Sequence, residues 1–254
     1  AGGCSCGSYY RFGRGMVGSF LAVIGFAVAA TITSVGFLAP VTDLLRRPVI
    51  DVYGESATVL NVLGIEFGPL KWVVLGALLI AGAAWLAKSP KQRFVIGWNW
   101  KVTGVVIGVI ALGAWVVSGL TMRDYGLSFT QPTVSAVQFI TTGDNSGINW
   151  ATFQLIGVPI GALVSSLIAS EFSLRVPKAG RAAAQFGGGL IMGFGAVVAG
   201  GCNIGHGITG VSSLALASIV ATGAAMLGVW TMTGIVYRAS RSGAASPAAQ
   251  SASA

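Results

Sequence analysis

Six long apolar runs, separated by short charged segments, dominate this sequence. They cover residues 16–38, 72–86, 102–120, 150–170, 185–200 and 211–236. A helix needs about 20 apolar residues to cross the hydrocarbon core of a bilayer, and lipid admits only helices and closed barrels because every backbone polar group must be paired internally. Charged residues make up 9% of the chain, well below the share of about a quarter found in soluble domains. The sequence therefore predicts an all-α, polytopic membrane protein with about six membrane segments.

The positions of the charged residues predict how the chain is oriented. The net charge is +8, but the basic residues stand in short clusters between apolar runs, which favours cytoplasmic loops over a nucleic-acid surface. Four basic residues with no acidic residue among them follow the second run, namely Lys88, Lys91, Arg93 and Lys101. We expect this segment to be cytoplasmic. The acid-containing segments 40–69 and 121–149 then lie outside, the second as a polar loop.

The run at residues 185–200 is short and rich in glycine, and it leaves two interpretations open. If it crosses the membrane, residues 1–238 form one transmembrane domain whose halves, 1–120 and 121–238, are related as inverted repeats. If it only re-enters, the tail lies outside and the symmetry argument weakens. The positive-inside rule favours crossing. Residues 239–254, rich in Ala and Ser, are predicted to be a disordered tail.

Two glycine-rich motifs carry the sequence features that suggest a binding site. Residues 1–7 read A-G-G-C-S-C-G and residues 199–205 read A-G-G-C-N-I-G, so both follow the pattern A-G-G-C-x-x-G. The only histidine, His206, follows the second motif. Glycine lets backbone groups turn away from helix bonds toward a ligand, and irregular backbone within a membrane is tolerated where it lines a cavity. We therefore expect short broken or re-entrant helices at these motifs.

At these motifs the sequence resembles the YeeE/YedE family of bacterial inner-membrane sulfur-compound transporters, which includes thiosulfate uptake proteins. The residues that carry the resemblance are 201–210 (G-C-N-I-G-H-G-I-T-G) and 3–13. The resemblance implies uptake of thiosulfate or a related sulfur anion across the inner membrane. It further implies that Cys4 and Cys202 are the pathway cysteines that contact the anion, and that a small cytoplasmic sulfur-carrier protein is a partner.

The sequence departs from that family pattern in three places. Cys6 matches no family position, and Arg14 stands near a place where the family usually has an acidic residue. The family also has an upstream segment with a further functional cysteine. Because the chain begins at Ala1, inside a motif, we expect it to be a fragment or a processed form that lacks this segment.

The residue types in the two motifs suit a soft anion. A buried lysine or arginine would be expensive to place and would hold a dianion too tightly, whereas helix ends and thiols offer weak sites in series. Thiolates would repel the anion, so the mechanism needs neutral thiols, which burial favours. The spacing of the three cysteines fits neither a disulfide framework nor a zinc site, and no metal or cofactor is predicted. The predicted substrate-binding residues are Gly3, Cys4, Gly7, Gly201, Cys202, Asn203, Gly205 and His206.

Several alternatives stay open at this point. Each cysteine could instead be a small buried hydrophobe. His206 could be a proton relay, a ligand contact or a hydrogen-bonding group at a helix end, and the last is favoured because no carboxylate lies near it in sequence. Asn203 either orients the anion or caps a helix. The alternative function is a membrane-embedded thiol sulfurtransferase or redox relay that uses Cys4, Cys6 and Cys202, and a third interpretation is an accessory subunit.

Overall fold

A computed structural model describes residues 1–47, 51–52, 55–62, 64, 69–88 and 98–241. The helices are α1 (Ser5–Gly13), α2 (Val17–Ser34), α3 (Ala39–Leu45), α4 (Val59–Val62), α5 (Leu70–Lys88), α6 (Trp100–Leu120), α7 (Thr130–Thr142), α8 (Trp150–Ile168), α9 (Ala179–Ala199) and α10 (Leu216–Arg241). A π-helical segment, Gly205–Gly210, precedes α10, and a two-residue antiparallel pair joins β1 (Asp51–Val52) to β2 (Glu55–Ser56). Of the predicted tail, residues 242–254 lie outside the described residues.

Six of the described helices are long and apolar enough to cross a membrane: α2, α5, α6, α8, α9 and α10. Each corresponds to one of the six apolar runs in the sequence. Within the described part of the chain, α5 has no buried residue and α10 exposes large apolar side chains along its length, as expected of helices whose outer faces contact lipid. The prediction of an all-α, multi-pass membrane protein is confirmed.

Helix α9 differs from the prediction for residues 185–200. The structure extends the helix back to Ala179, which gives a continuous 21-residue helix. At 1.5 Å per residue such a helix spans roughly 30 Å, which matches the hydrocarbon thickness. The glycines that made this run look broken serve packing instead, since Cβ atoms on Gly189 and Gly193 would collide with the backbone of α2. Glycine therefore lets α2 and α9 approach closely along their length.

The segment 121–149 was predicted to be a polar outer loop, and that prediction is wrong for much of it. Residues 130–142 form helix α7, whose first turns are buried. Val134 packs with Ala30 of α2 and Val197 of α9 in one core cluster. The hydroxyl groups that made the segment look polar turn inward: that of Thr133 donates to the carbonyl oxygen of Phe129, whereas that of the buried Thr130 has no hydrogen-bond partner. Residues 143–149 alone keep the predicted turn.

Two isolated backbone bridges connect loops that are distant in sequence. Met16, between α1 and α2, pairs with Arg175, between α8 and α9. Beside this bridge, Arg14 forms an ion pair with Glu171 at 2.7 Å, so an arginine near an expected acidic position finds its partner elsewhere in the chain. Thr58 pairs with Ala215, just before α10. Each bridge thus joins two segments that the charge pattern assigns to one side of the membrane, the first inside and the second outside.

Candidate functional site

The first cysteine motif forms a turn that leads into the short helix α1. Gly2 has a left-handed backbone with φ of 76°, which a side chain would strain. Cys4 is the N-cap of α1, and its Sγ accepts a hydrogen bond of 3.4 Å from the backbone N–H of Gly7. A thiol takes here the place usually held by a Ser or Asp oxygen. Gly7 thus contributes its backbone N–H, not a surface for the substrate.

The second cysteine motif forms a similar turn between α9 and the π-helical segment. Gly200 ends α9 with φ of 90°. The carbonyl oxygen of Cys202 accepts from the backbone N–H of His206 at 2.9 Å, which starts the next helix. In the π-helical part, i to i+5 bonds widen the helix, a distortion often found at functional sites. The predicted broken helices at both cysteine motifs are therefore present.

The two turns resemble each other in backbone conformation and in the order of the elements that follow, as well as in sequence. In each, a left-handed first glycine precedes the cysteine, and a short helix follows it. A second left-handed residue, Gly15 (φ 92°) or Leu214 (φ 54°), then leads through a backbone bridge into a long helix, α2 or α10. This local repetition is what a duplication would leave. That the halves 1–120 and 121–238 are inverted relative to each other stays a prediction.

One cavity of about 730 Å³ brings most of the predicted residues together. Its walls are α9 and α10, and its end is formed by the two turns. Gly7 and Gly205 do not line it. Cys4 is exposed in this structure, whereas Cys202 is 5% exposed. The predicted residues that line the cavity are Gly3, Cys4, Gly201, Cys202, Asn203 and His206.

His206 connects the end of α9 to the start of α10. Its Nε2 lies 3.0 Å from the carbonyl oxygen of Ala199, and its Nδ1 lies 3.0 Å from Oγ of Ser218. A carbonyl oxygen only accepts, so Nε2 carries the proton, and Nδ1 of the neutral ring accepts from the Ser218 hydroxyl. Both ring nitrogens therefore have protein partners, as expected for the helix-end role that the sequence favours.

Cys6 and Tyr9, which follow the first cysteine turn in α1, lie outside the cavity lining. Cys6 does not line the cavity and is half-buried against a core cluster that includes Tyr9, Phe129 and Cys202. Tyr9 is 6% exposed, and its hydroxyl lies 2.9 Å from Oγ1 of Thr133. Its polar tip has a partner inside the protein, so the ring can be buried.

A second cavity, of about 270 Å³, lies next to the second turn and was missed by the sequence analysis. Arg46 and Arg123 line it together with Gly200, the residue directly before Gly201 of the first cavity. Thr130 also lines it, and its buried hydroxyl has no hydrogen-bond partner. Burial lowers the pKa of Arg123, which lies outside the membrane-spanning helices, but an arginine stays charged. In the sequence, this cavity is indicated only by the basic residues Arg46 and Arg123, which stand within the acid-containing segments 40–69 and 121–149.

The donor set excludes an obvious metal centre in the part of the chain described: no three His, Cys, Asp or Glu side chains cluster there. The second cysteine turn instead has one cavity on each side. One is lined by thiols, small residues and an amide, and the other contains two guanidinium groups. Guanidinium groups attract anions, and thiols give them weak contacts.

Known proteins share this sequence over nearly its whole length. The family described as Sulphur transport matches residues 1–231. A protein named thiosulfate transporter TsuA from Spirochaeta thermophila is 35% identical, over 94% of this chain and 73% of its own length. A protein of the same name from Escherichia coli (strain K12) is 31% identical, over 93% of this chain and 70% of its own length. These names favour transport over the thiol-enzyme alternative. The chain therefore belongs to the Sulphur transport family, known as YeeE/YedE, and is a membrane transporter rather than an enzyme.

Proposed function

We propose that this protein takes up thiosulfate, or a closely related sulfur anion, across the bacterial inner membrane through a pathway lined by neutral cysteine thiols. The observation that carries the proposal is the single cavity that Cys4 and Cys202 both line, although 198 positions separate them in the chain (202 − 4). The TsuA names of the relatives supply the substrate. The positive-inside pattern assigns the acid-containing segments to the outer side, from which the anion would enter.

The chemistry of the first cavity suits an anion that must enter and leave. Among the described residues that line it, none is Asp, Glu, Lys or Arg. A neutral thiol offers a weak S–H donor and a polarizable sulfur, which fit the terminal sulfur of thiosulfate. The amide of Asn203 and unpaired backbone N–H groups at the turns add further donors. Weak, successive sites allow release as well as binding.

The second cavity is lined by arginine side chains, which are absent from the lining of the first. Arg46 and Arg123 lie on the side of the Gly200 turn that we assign to the outside, where positive charge raises the local concentration of an anion. The anion would then pass the turn that carries Cys202 and reach Cys4. A small cytoplasmic sulfur-carrier protein would receive the sulfur compound on the inner side, as the family resemblance implies.

Uptake of radiolabelled thiosulfate into liposomes that contain the purified protein tests this function. We expect Cys202→Ala to lower the uptake rate by about tenfold or more, because it removes the thiol that contacts the anion at the second turn. Cys4→Ala should have a similar effect. Cys6→Ala is the matched control, since Cys6 does not line the cavity, and it should keep most of the uptake.

Competing anions identify the substrate in the same assay. Unlabelled thiosulfate should compete fully, whereas sulfate, which has no terminal sulfur for the thiols, should compete weakly. Unimpaired uptake in the Cys202→Ala protein would reject the cysteine pathway. Absence of any uptake by the wild-type protein would reject thiosulfate as the substrate.

A further inference from the structure

We propose that Arg11 and His206 are positioning residues with the same role, one for each cysteine turn. Each donates a hydrogen bond to a backbone carbonyl oxygen of its own turn and thereby withdraws that oxygen from the anion pathway. For transport the inference rests on the function proposed above. That these two side chains hold the turns in place is argued from their hydrogen bonds and contacts, which do not depend on what is transported.

Arg11 folds back along α1 to the first turn. Its Nη1 donates to the carbonyl oxygen of Gly2. The guanidinium also lies against Gly3, where a Cβ atom would collide with Nη2. At Gly7, a Cβ atom would stand 3.5 Å from both Nη2 of Arg11 and Sγ of Cys4, so both groups border the same gap. The positive charge of Arg11 is thus held on the backbone of the turn.

His206 makes the corresponding contact at the second turn. Its Nε2–H donates to the carbonyl oxygen of Ala199 at 3.0 Å. The ring also faces Gly201, where a Cβ atom would stand 3.1 Å from Nε2. The hydroxyl of Ser218 fixes the ring from its other nitrogen at 3.0 Å. The imidazole therefore closes the turn from Ala199 to Cys202.

The two contacts are similar in kind but use different positions of the repeat, since Gly2 stands two residues before Cys4 and Ala199 three residues before Cys202. Arg11 follows Cys4 by seven residues and His206 follows Cys202 by four, and both spacings place the side chain on the helix face of the cysteine. Side chains on a helix lean toward its N-terminus, so each reaches back over the turn from which the helix starts. In both motifs the second glycine, Gly3 or Gly201, is the residue that leaves room for the donor.

The electrostatic consequence concerns the cavity wall. Gly2 and Ala199 both line the cavity that contains the two thiols. An unpaired carbonyl oxygen there would turn its negative end toward the anion and would disfavour binding. A donor that occupies this oxygen removes the repulsion and also fixes the turn, so that the thiol is held at the pathway.

Transport kinetics test the role of the donors. We expect Arg11→Met and His206→Leu to raise the KM for thiosulfate by about tenfold, which corresponds to the loss of one strong hydrogen bond, with a smaller change in kcat. Arg11→Lys and His206→Gln keep an N–H donor of similar reach and should restore most of the affinity. Arg14→Met is the matched control, because Arg14 pairs with Glu171 and touches neither turn. A KM equal to that of wild type in the Met and Leu variants would overturn the proposal.

Thiol labelling tests the geometric content independently of transport. With Cys4 and Cys6 replaced by Ser, Cys202 is 5% exposed and should react slowly with N-ethylmaleimide. His206→Leu should accelerate this reaction several-fold, and His206→Gln should leave it slow. In the protein with Cys4 as its sole cysteine, which is already exposed, Arg11→Met should alter the labelling rate because the turn shifts, but Arg11→Lys should not. If Lys and Gln act like Met and Leu, donation to the carbonyl is not the role and the inference fails. If wild-type protein carries no thiosulfate but the labelling pattern holds, only the proposed substrate fails.

Discussion

At the scale of single residues, two hydroxyl groups hold the π-helical segment in place. Tyr125 donates to the carbonyl oxygen of Gly205 at 2.9 Å, and Thr209 donates to that of Leu127 at 2.8 Å. A π-helix has a wider turn than an α-helix and needs tertiary support to persist. The segment that carries Tyr125 thus supports the helix that follows Cys202, although it contributes no residue to the thiol-lined cavity.

Removing one of these hydroxyl groups should destabilise the protein by a modest amount. Tyr125→Phe loses the bond to Gly205, which we expect to cost about 1 kcal/mol and to lower the melting temperature of the protein in detergent. Tyr10→Phe is the control, because its hydroxyl only accepts from Arg14 at the exposed surface. A melting temperature that falls equally in both variants would contradict this assignment.

The second glycine of the cysteine motif allows a further test at one residue. In Gly201→Ala the new methyl would press on the imidazole of His206, at 3.1 Å from its Nε2. We expect a cost of about 1 kcal/mol or more from this crowding, and a lower rate of thiosulfate uptake because the turn shifts. Gly207→Ala, in the π-helical segment that follows the turn, meets open space and should behave like wild type. Equal uptake rates in the Gly201→Ala and Gly207→Ala proteins would contradict this role of Gly201.

At the scale of elements, the pair formed by α2 and α9 is the most extensive helix contact of the structure. Its glycines face the partner helix: Gly25 lies against the backbone of Phe186 and Gly189 against that of Ala22. Lipid tails are as apolar as the side chains, so close van der Waals contact is what drives such association. Both cysteine turns adjoin this pair, since α1 precedes α2 and the second turn follows α9.

Replacing an interface glycine should separate these two helices. Gly193→Ala would place a methyl against the carbonyl oxygen of Phe26 and the amide nitrogen of Ala30, which the backbone of α2 cannot avoid. Overpacking of this kind costs about 1–3 kcal/mol, so the melting temperature in detergent should drop. Gly187→Ala on the same helix meets no atom within 4 Å and should keep the wild-type value. Equal melting temperatures in the two variants would contradict the close-contact role.

At the scale of the whole molecule, the charge rule and the backbone bridges agree on the orientation. The bridge between Met16 and Arg175 joins loops that carry basic residues, and the bridge between Thr58 and Ala215 joins segments at the outer side of the charge pattern. Because α8 connects the turn at 143–149 to the loop at 169–178, these two loops lie at opposite ends of one spanning helix.

Cysteine labelling in a variant without native cysteines tests this orientation. We expect Ser146→Cys to react with a membrane-impermeant maleimide in intact spheroplasts, because the charge pattern assigns its loop to the outside. Val176→Cys, in a loop with Arg175 and Lys178, should react only after permeabilisation. Both positions are exposed, so burial does not hide either one. The reverse pattern would invert the whole topology and the direction assigned to uptake.

The sequence by itself determined the number of spans, the two cysteine turns and the family. Each depends on local properties: the length of an apolar run, a repeated glycine pattern and the identity of neighbouring residues. Only the tertiary structure decided which polar groups are paired. The hydroxyl groups of Tyr9 and Thr133 looked like surface groups in the sequence, yet both residues are buried and the two oxygens lie 2.9 Å apart. Their partners are far away along the chain, and the cost of burying a polar group depends on whether such a partner is present.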